Sequence, residues 1–393
     1  MTVEDRRPGL SGVPTAELSA WLAARDEPVY RSRQVAAALW HGEAAALDDV
    51  TALPARLRAA LAADFDWDTL ADSELRTGDG ELTEKAVHRL RDGALIESVL
   101  MRYPARGARR ERHTLCISSQ AGCAVGCPFC ATGELGFTRD LEVAEILDQV
   151  RHAQRRLRRA GRRVTNIVFM GMGEPLLNLE RVLASVDALH DPARLGLGAR
   201  HITVSTSGVV PAIRKLTERA PQFTLAVSLH AARDALRDVL VPLNRRWPVA
   251  EVVAAAREHA RMTGRRISYE VTLIGGVNDT ERDAAALAEL LHGELAHVNL
   301  IPMNPVAHTP WSASEPAVVA RFAARLRAAG IGTTVRRNRG IEIGAACGQL
   351  AAERAGEPAP DAVARRRSRL VRASAAALRS ERAVEPLPAG MGH

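Results

Sequence analysis

From residue 114 to residue 336 the chain alternates short β-rich runs with longer amphipathic stretches of helical period, and this rhythm limits the fold more than any other property. The β-rich runs cover 114–118, 166–170, 202–205, 224–228, 268–273, 297–301 and 333–336. Helical spacing fills the gaps, for example over 143–157, 179–189, 249–262 and 317–328. Sustained β-α alternation predicts a parallel α/β sheet, either open and doubly wound or closed toward a barrel. Barrel enzymes gather their chemistry at the C-terminal ends of successive strands. Polar motifs follow strand after strand here: Gly171-Met172-Gly173-Glu174-Pro175, Ser205-Thr206-Ser207-Gly208, Ser228-Leu229-His230 and Asn304-Pro305. A partial barrel fits best.

Ahead of this region, apolar residues recur at helical spacing over 15–65, around Leu18, Trp21, Leu22, Val35, Leu39, Trp40, Leu53, Leu57 and Leu61. Between 73 and 103 the pattern turns to alternation over 84–90 and 95–103, divided by Arg91-Asp92-Gly93, a hairpin signal. The expected organisation is a small helical accessory domain over 1–70, a β-hairpin connector over 71–105, the α/β barrel over 106–350 and a basic, mobile tail over 351–393. The N-terminus lacks the apolar stretch of a signal peptide, and no later run reaches the length of a membrane span. A cytoplasmic chain with no membrane partner is the expectation.

Four of the five cysteines fall between 116 and 130, and Cys123, Cys127 and Cys130 are spaced C-x3-C-x2-C. Four-iron clusters are normally held by four thiolates, so three at this spacing point to a cluster with one iron open to a small molecule. A structural zinc site is the competing reading. It needs a closed set of four ligands, and the nearby candidates for a fourth are Cys116 and His113. An odd cysteine number without regular pairing suits a reducing compartment and chemical rather than structural thiols.

The net charge of +7 suggests an anionic partner, with nucleic acid the commonest choice. From Arg354 to His393 there are eight arginines against four acids, so more than half of the excess lies in the tail. Further basic clusters span 106–112 and 151–163 and could track phosphates. Lys85 and Lys215 are the only lysines, an arginine bias that base composition alone can produce, so charge is weak support.

Taken in order, several motifs are specific. They are Cys116-Ile117-Ser118-Ser119-Gln120-Ala121-Gly122-Cys123, Cys127-Pro128-Phe129-Cys130-Ala131-Thr132-Gly133, the Gly-Met-Gly-Glu-Pro segment, Ser228-Leu229-His230 and Ala345-Ala346-Cys347-Gly348-Gln349-Leu350. Over residues 30–350 the chain resembles the RlmN family of radical-SAM RNA adenine methyltransferases. The resemblance implies a radical-SAM partial TIM barrel, with Cys123, Cys127 and Cys130 holding a [4Fe-4S] cluster whose open iron binds S-adenosylmethionine, two molecules of which are used per turnover. It makes Gly173, Glu174, Ser205, Ser228, Leu229, His230 and Asn304 the contacts to that cofactor. A carboxylate after a strand can accept from its ammonium, and glycine permits close approach. Alone, Gly-x-Gly-Glu is equally readable as a loop, and His230 as a buried, satisfied histidine.

A lone buried cysteine is usually inert, yet the resemblance makes Cys347, more than two hundred positions past the cluster motif, the residue that carries the methyl group. Adenine C2 is electron-poor and has no nucleophilic lone pair, so a carbon radical must be delivered to it. The resemblance implies that Cys116 then attacks the Cys347 sulfur, releasing product and leaving a disulfide for cellular thiols to reduce. It places the proton acceptor at Glu97, in Leu95-Ile96-Glu97-Ser98-Val99, whereas alternation alone turns this glutamate outward. The implied partners are 23S rRNA in the peptidyl-transferase region, tRNA next to the anticodon, and a reductant for cluster and disulfide; the implied state is a monomer. Asp140 stands where asparagine is common, and Ile341 and Gly344 stand where acids are expected. The rivals are a relative that methylates adenine C8 and a non-catalytic zinc-bound RNA-binding module.

Overall fold

Arg91-Asp92-Gly93 turns the chain as its composition demands. Gly93 takes φ 84° and Asp92 accepts from the Ala94 amide at 3.0 Å, so the flanking strands run antiparallel with Glu97 opposite Val87. The computed structural model describes residues 7–108, 110–350 and 360–382, the side chains of 360–362 and 380–382 excepted. Its elements are α1 (Thr15–Ala23), α2 (Tyr30–His41), α3 (Ala55–Asp64), β1 (Leu70–Gly78), β2 (Thr83–Leu90), β3 (Leu95–Tyr103), β4 (Arg112–Cys116), β5 (Gln120–Gly122), α4 (Ala131–Leu135), β6 (Phe137–Asp140), α5 (Val143–Arg158) and β7 (Asn166–Phe169). There follow α6 (Leu179–His190), β8 (Ile202–Thr206), α7 (Val210–Arg219), β9 (Thr224–Ser228), α8 (Asp234–Leu240), α9 (Val249–Thr263), β10 (Ile267–Leu273), α10 (Glu281–Leu290), β11 (Ala296–Pro302), α11 (Pro316–Ala328), β12 (Gly332–Val335) and α12 (Pro360–Arg382). Among the described residues no helix is long and apolar enough to cross a membrane.

The chain divides into two compact units, the first made of Met1–Gly122 and Phe137–Val204. In it β1 to β4 pair antiparallel in sequence order, and β4, β7 and β8 continue in parallel, with Cys116 opposite Val168. The helical N-terminal segment does not stand apart as a domain of its own. Asp148 on α5 accepts from both the amide and the hydroxyl of Thr69 at 2.8 Å, and the buried Arg151 donates to the carbonyls of Trp67 (2.8 Å) and Leu39 (3.2 Å). A buried arginine bonded to backbone oxygens of another segment can lose those partners only at heavy cost, so the segment is fixed to α5. Strand β1 extends the expected hairpin to three strands; its mostly exposed, polar sequence hid it.

The second unit comprises Cys123–Gly136 and Ser205–His393. Strands β9 to β12 lie parallel, with Ser268 opposite Ala226, Leu273 opposite Pro302 and Leu300 opposite Val335. Their boundaries match the β-rich runs to within a residue. Against the expectation of a mobile tail, 360–382 form a helix seated on α8. Leu370, Ser374 and Ala377 recur on one face and are buried, Arg367 donates to the Thr309 carbonyl at 3.2 Å, and Arg366 pairs with Glu134. So narrow a stripe is hard to read in an arginine-rich sequence. The rest of the expected tail, 351–359 and 383–393, lies outside the described residues.

Candidate active site

In the second unit the cysteine loop sits on an apolar bed. Cys123, Cys127 and Cys130 are partly buried and pack against a cluster that includes Val125, Phe129, Leu240, Val241, Ile274 and Met303. The loop closes on itself through bonds from the Cys123 amide to the Gly136 carbonyl (2.8 Å) and from the Cys130 amide to the Cys127 carbonyl (3.1 Å). None of the five cysteines is in a disulfide.

Cys347 is brought to this loop by its neighbours. The Ala131 amide donates to the Gly348 carbonyl at 2.7 Å, and the Thr132 hydroxyl to the Leu350 carbonyl at 2.7 Å. Gly348 takes φ 82°, and a Cβ there would stand 3.4 Å from the Phe129 carbonyl oxygen, so a side chain would strain this approach. Asn304 donates to the Cys347 carbonyl at 2.9 Å. Cys347 is exposed as a residue, while its thiol is desolvated by the protein around it. Desolvation pushes it above the usual thiol range, with Cys130 and Glu270 adding to the rise, while Arg336 and the Gly348 backbone oppose it.

Three buried titratable groups lie near the loop or Cys347. His230 is buried at φ 61°, a conformation that costs a side-chain residue about 1–2 kcal/mol. Its Nδ1 accepts from the Thr272 amide at 3.1 Å, its carbonyl accepts from Asn278 at 2.8 Å, and its ring meets Phe129 edge-on at 4.7 Å. Desolvation, aided by Arg237, lowers its pKa to about 3, which leaves the ring neutral. Arg237, on α8 and fully buried, donates to the carbonyls of Ser207 (2.6 Å), Leu229 (2.9 Å) and Ser228 (3.2 Å). Burial lowers its pKa to about 10 against the pull of Cys127, Asp234 and Asp238. Glu270, buried on β10, accepts from Ser268 and Asn299 at 2.8 Å, and its backbone carbonyl accepts from the Leu229 amide at 3.0 Å. Burial raises its carboxyl, against Ser268, Arg336 and Asn299.

The first unit holds the other residues singled out in the sequence, Ser205 excepted. Gly173 takes φ 102°, and a Cβ there would fall 2.5 Å from Cβ of Gln120. Gln120 accepts from the Glu174 amide at 2.8 Å and donates to Asp140 at 2.7 Å, while the Glu174 carboxylate caps Leu176 at 3.0 Å. Glu97 does not face outward: β3 is buried on both sides, and the carboxylate lies 3.3 Å from the Lys85 ammonium. Cys116, buried, ends β4. Ser205, near the end of β8, belongs to the second unit.

Residues 117–288 match the model of the radical SAM superfamily. The probable dual-specificity RNA methyltransferase RlmN of Frankia casuarinae is 53% identical over 342 residues, which cover 84% of this chain and 80% of that protein. The chain belongs to the RlmN family. The relative of the same name from Thermobifida fusca is 51% identical over 83% of this chain and 90% of its own length. A crystal structure of a radical SAM methyltransferase from Sphaerobacter thermophilus superposes with a TM-score of 0.84 at 48% identity, over 88% of this chain and all of that one. The α/β partial-barrel class read from the sequence is that of the family.

Membership of the RlmN family brings a [4Fe-4S] cluster and S-adenosylmethionine, and two features fit them. Cys123, Cys127 and Cys130 share one short loop packed on apolar side chains. A four-iron cluster gives each thiolate its own iron, so three spaced thiols on an apolar bed suit it. Asn304 Oδ1 is buried without a hydrogen-bond partner, while the same side chain anchors Cys347. A buried orphan acceptor implies a missing donor, and the ammonium and ribose of S-adenosylmethionine carry suitable ones. Arg237 and Glu270 were not singled out in the sequence. Only Glu270 carried a local signal, a charge between Tyr269 and Val271.

Proposed function

We propose that the chain methylates C2 of adenosine in 23S rRNA and in tRNA next to the anticodon, with Cys347 carrying the methyl group. The observation that carries this reading is the anchoring of the Cys347 segment to the cysteine loop through Ala131, Thr132 and Asn304. A methyl carrier has to be reached by both S-adenosylmethionine and RNA, and the exposure of Cys347 supports that use.

When bound, the cluster supplies the electron that splits S-adenosylmethionine and so opens radical chemistry. Cys347 first attacks the sulfonium methyl as a thiolate. Its raised pKa means that the proton must leave at attack, with the Arg336 charge favouring the thiolate. Gly173, Glu174, Ser205, Ser228, Leu229, His230 and Asn304 are the residues that would hold the cofactor. The neutral His230 ring presents no charge to repel the sulfonium. The Cys347-bound methyl would give up one hydrogen atom to the radical made from a second S-adenosylmethionine and its carbon would then bond to C2; Glu97 would take the C2 proton, and one electron would return to the cluster. Cys116, as a thiolate, then attacks the Cys347 sulfur and breaks its bond to carbon; the carbon keeps the electron pair and takes up a proton to become the methyl of the product, and an external dithiol reduces the resulting disulfide. The target base has to be unstacked to reach Cys347. The protein acts as a cytoplasmic monomer without a membrane partner.

Anaerobically reconstituted protein, incubated with S-adenosylmethionine, a reductant and either 23S rRNA or tRNA, tests the reading by mass spectrometry of the digested nucleosides. The expected product from both RNAs is 2-methyladenosine. A methyl group at C8, or protein that takes up no iron, contradicts it.

A further inference from the structure

We propose that the exposed face of α12 is an RNA-backbone clamp: Arg365, Arg369 and Arg372 form a fixed row of cations that binds phosphates of the substrate RNA. The proposal rests on the RNA-methyltransferase reading above and adds a surface to it.

The row follows from helix geometry. Positions 365, 369 and 372 are separated by four and three residues, so they share one face at steps of about 5–6 Å. All three side chains are exposed, and Ser368 lies among them. The same residues, with Ala364 and Arg366, line one surface depression. Elsewhere in the chain arginines commonly sit beside carboxylates: Arg139 holds Asp92 and Glu145, Arg233 holds Asp283, and Arg102 holds Glu84. The α12 row makes no ion pair among the described residues, and no acidic side chain occurs from 363 to 379. An arginine bias in composition explains many arginines but not their segregation from acids.

Like charges at this spacing weaken a helix, so something must hold the row in place. The opposite face does so. Leu370, Ser374 and Ala377 are buried, α12 rests on α8, and Arg366 pairs with Glu134 of α4, the helix that begins directly after Cys130. Ala131 of the same helix holds Gly348 at 2.7 Å. Cations and methyl-carrying cysteine are therefore tied to one short helix, and RNA gripped at α12 is held in register with Cys347. A membrane surface fits less well, because the apolar side that an interfacial helix inserts is already covered.

The test is the salt dependence of RNA binding by reconstituted holoenzyme, wild type against R365Q/R369Q/R372Q, with an unmodified tRNA transcript as probe from about 0.05 to 0.3 M KCl. Losing three phosphate contacts should lower the slope of log K against log salt by about 2 and weaken binding roughly 50-fold near 0.15 M. R365K/R369K/R372K should keep the slope and so separate charge from folding. An unchanged slope in the glutamine variant overturns the proposal. So does salt-dependent binding of the wild type to phosphatidylglycerol vesicles that the variant loses while its RNA slope stays unchanged. Failure of the underlying reading looks different: the wild type binds the transcript yet forms no 2-methyladenosine.

Discussion

Arg237 Nη2 lies 2.6 Å from the carbonyl oxygen of Ser207, and the same guanidinium also holds Ser228 and Leu229. One buried cation thus ties the segment after β8 to the segment after β9, where the proposed cofactor contacts lie. Arg237→Met removes these donors and leaves buried carbonyls unsatisfied, which should cost about 3–5 kcal/mol in stability. The check is denaturant unfolding alongside S-adenosylmethionine affinity. Unchanged stability with unchanged affinity would show that the strand ends hold themselves.

Asn304 joins the Cys347 carbonyl to a buried acceptor with no partner. Asn304→Ala should weaken S-adenosylmethionine binding by about tenfold, the equivalent of one hydrogen bond of roughly 1.4 kcal/mol. Calorimetric titration of reconstituted protein measures this. Wild-type affinity in the variant would remove Asn304 from the cofactor site.

Glu97 and Lys85 are buried 3.3 Å apart, so neutralising either takes an opposite charge from the other. Glu97→Gln should cost about 3–5 kcal/mol and, on the proposed role, leave Cys347 methylation possible while product release stalls. An RNA–protein adduct would then appear on denaturing gels. Full turnover by this variant would refute the role.

Acid should destabilise the protein through its buried histidines. The pKa of His88 is lowered to about 3 and that of His152 to about 4, in both cases chiefly by desolvation; His88 is also held between the Ser73 (2.7 Å) and Ser98 (2.8 Å) hydroxyls. A folded pKa below the unfolded value of about 6.5 means that the stabilisation is complete above pH 6.5 and drains away as pH falls toward 3 or 4. Each such histidine should cost up to about 1.4 kcal/mol per pH unit in that window. Unfolding free energies at pH 7, 6 and 5 test this, and His88→Gln should flatten the fall. A pH-independent stability would contradict the burial of these rings.

Strand and helix positions in the parallel region were legible because each element buries a patterned face: 224–228 and 166–169 were found almost to the residue. The same reasoning missed β1, whose exposed faces carry no apolar period. It also turned Glu97 outward, because alternation identifies one covered face and β3 has two. The helix over 360–382 was hidden by composition, since three small or apolar residues among arginines suffice once α8 supplies the partner surface. At the site, cysteine spacing announced the loop, but Arg237 could not be found from local sequence. Its three carbonyl partners are set by tertiary structure alone.

The central claim is that Cys347 carries carbon to adenine C2. Nucleoside mass spectrometry of rRNA and tRNA treated anaerobically with wild type or Cys347→Ala tests it most directly. The account predicts 2-methyladenosine from the wild type and none from the variant; equal 2-methyladenosine from both would contradict it.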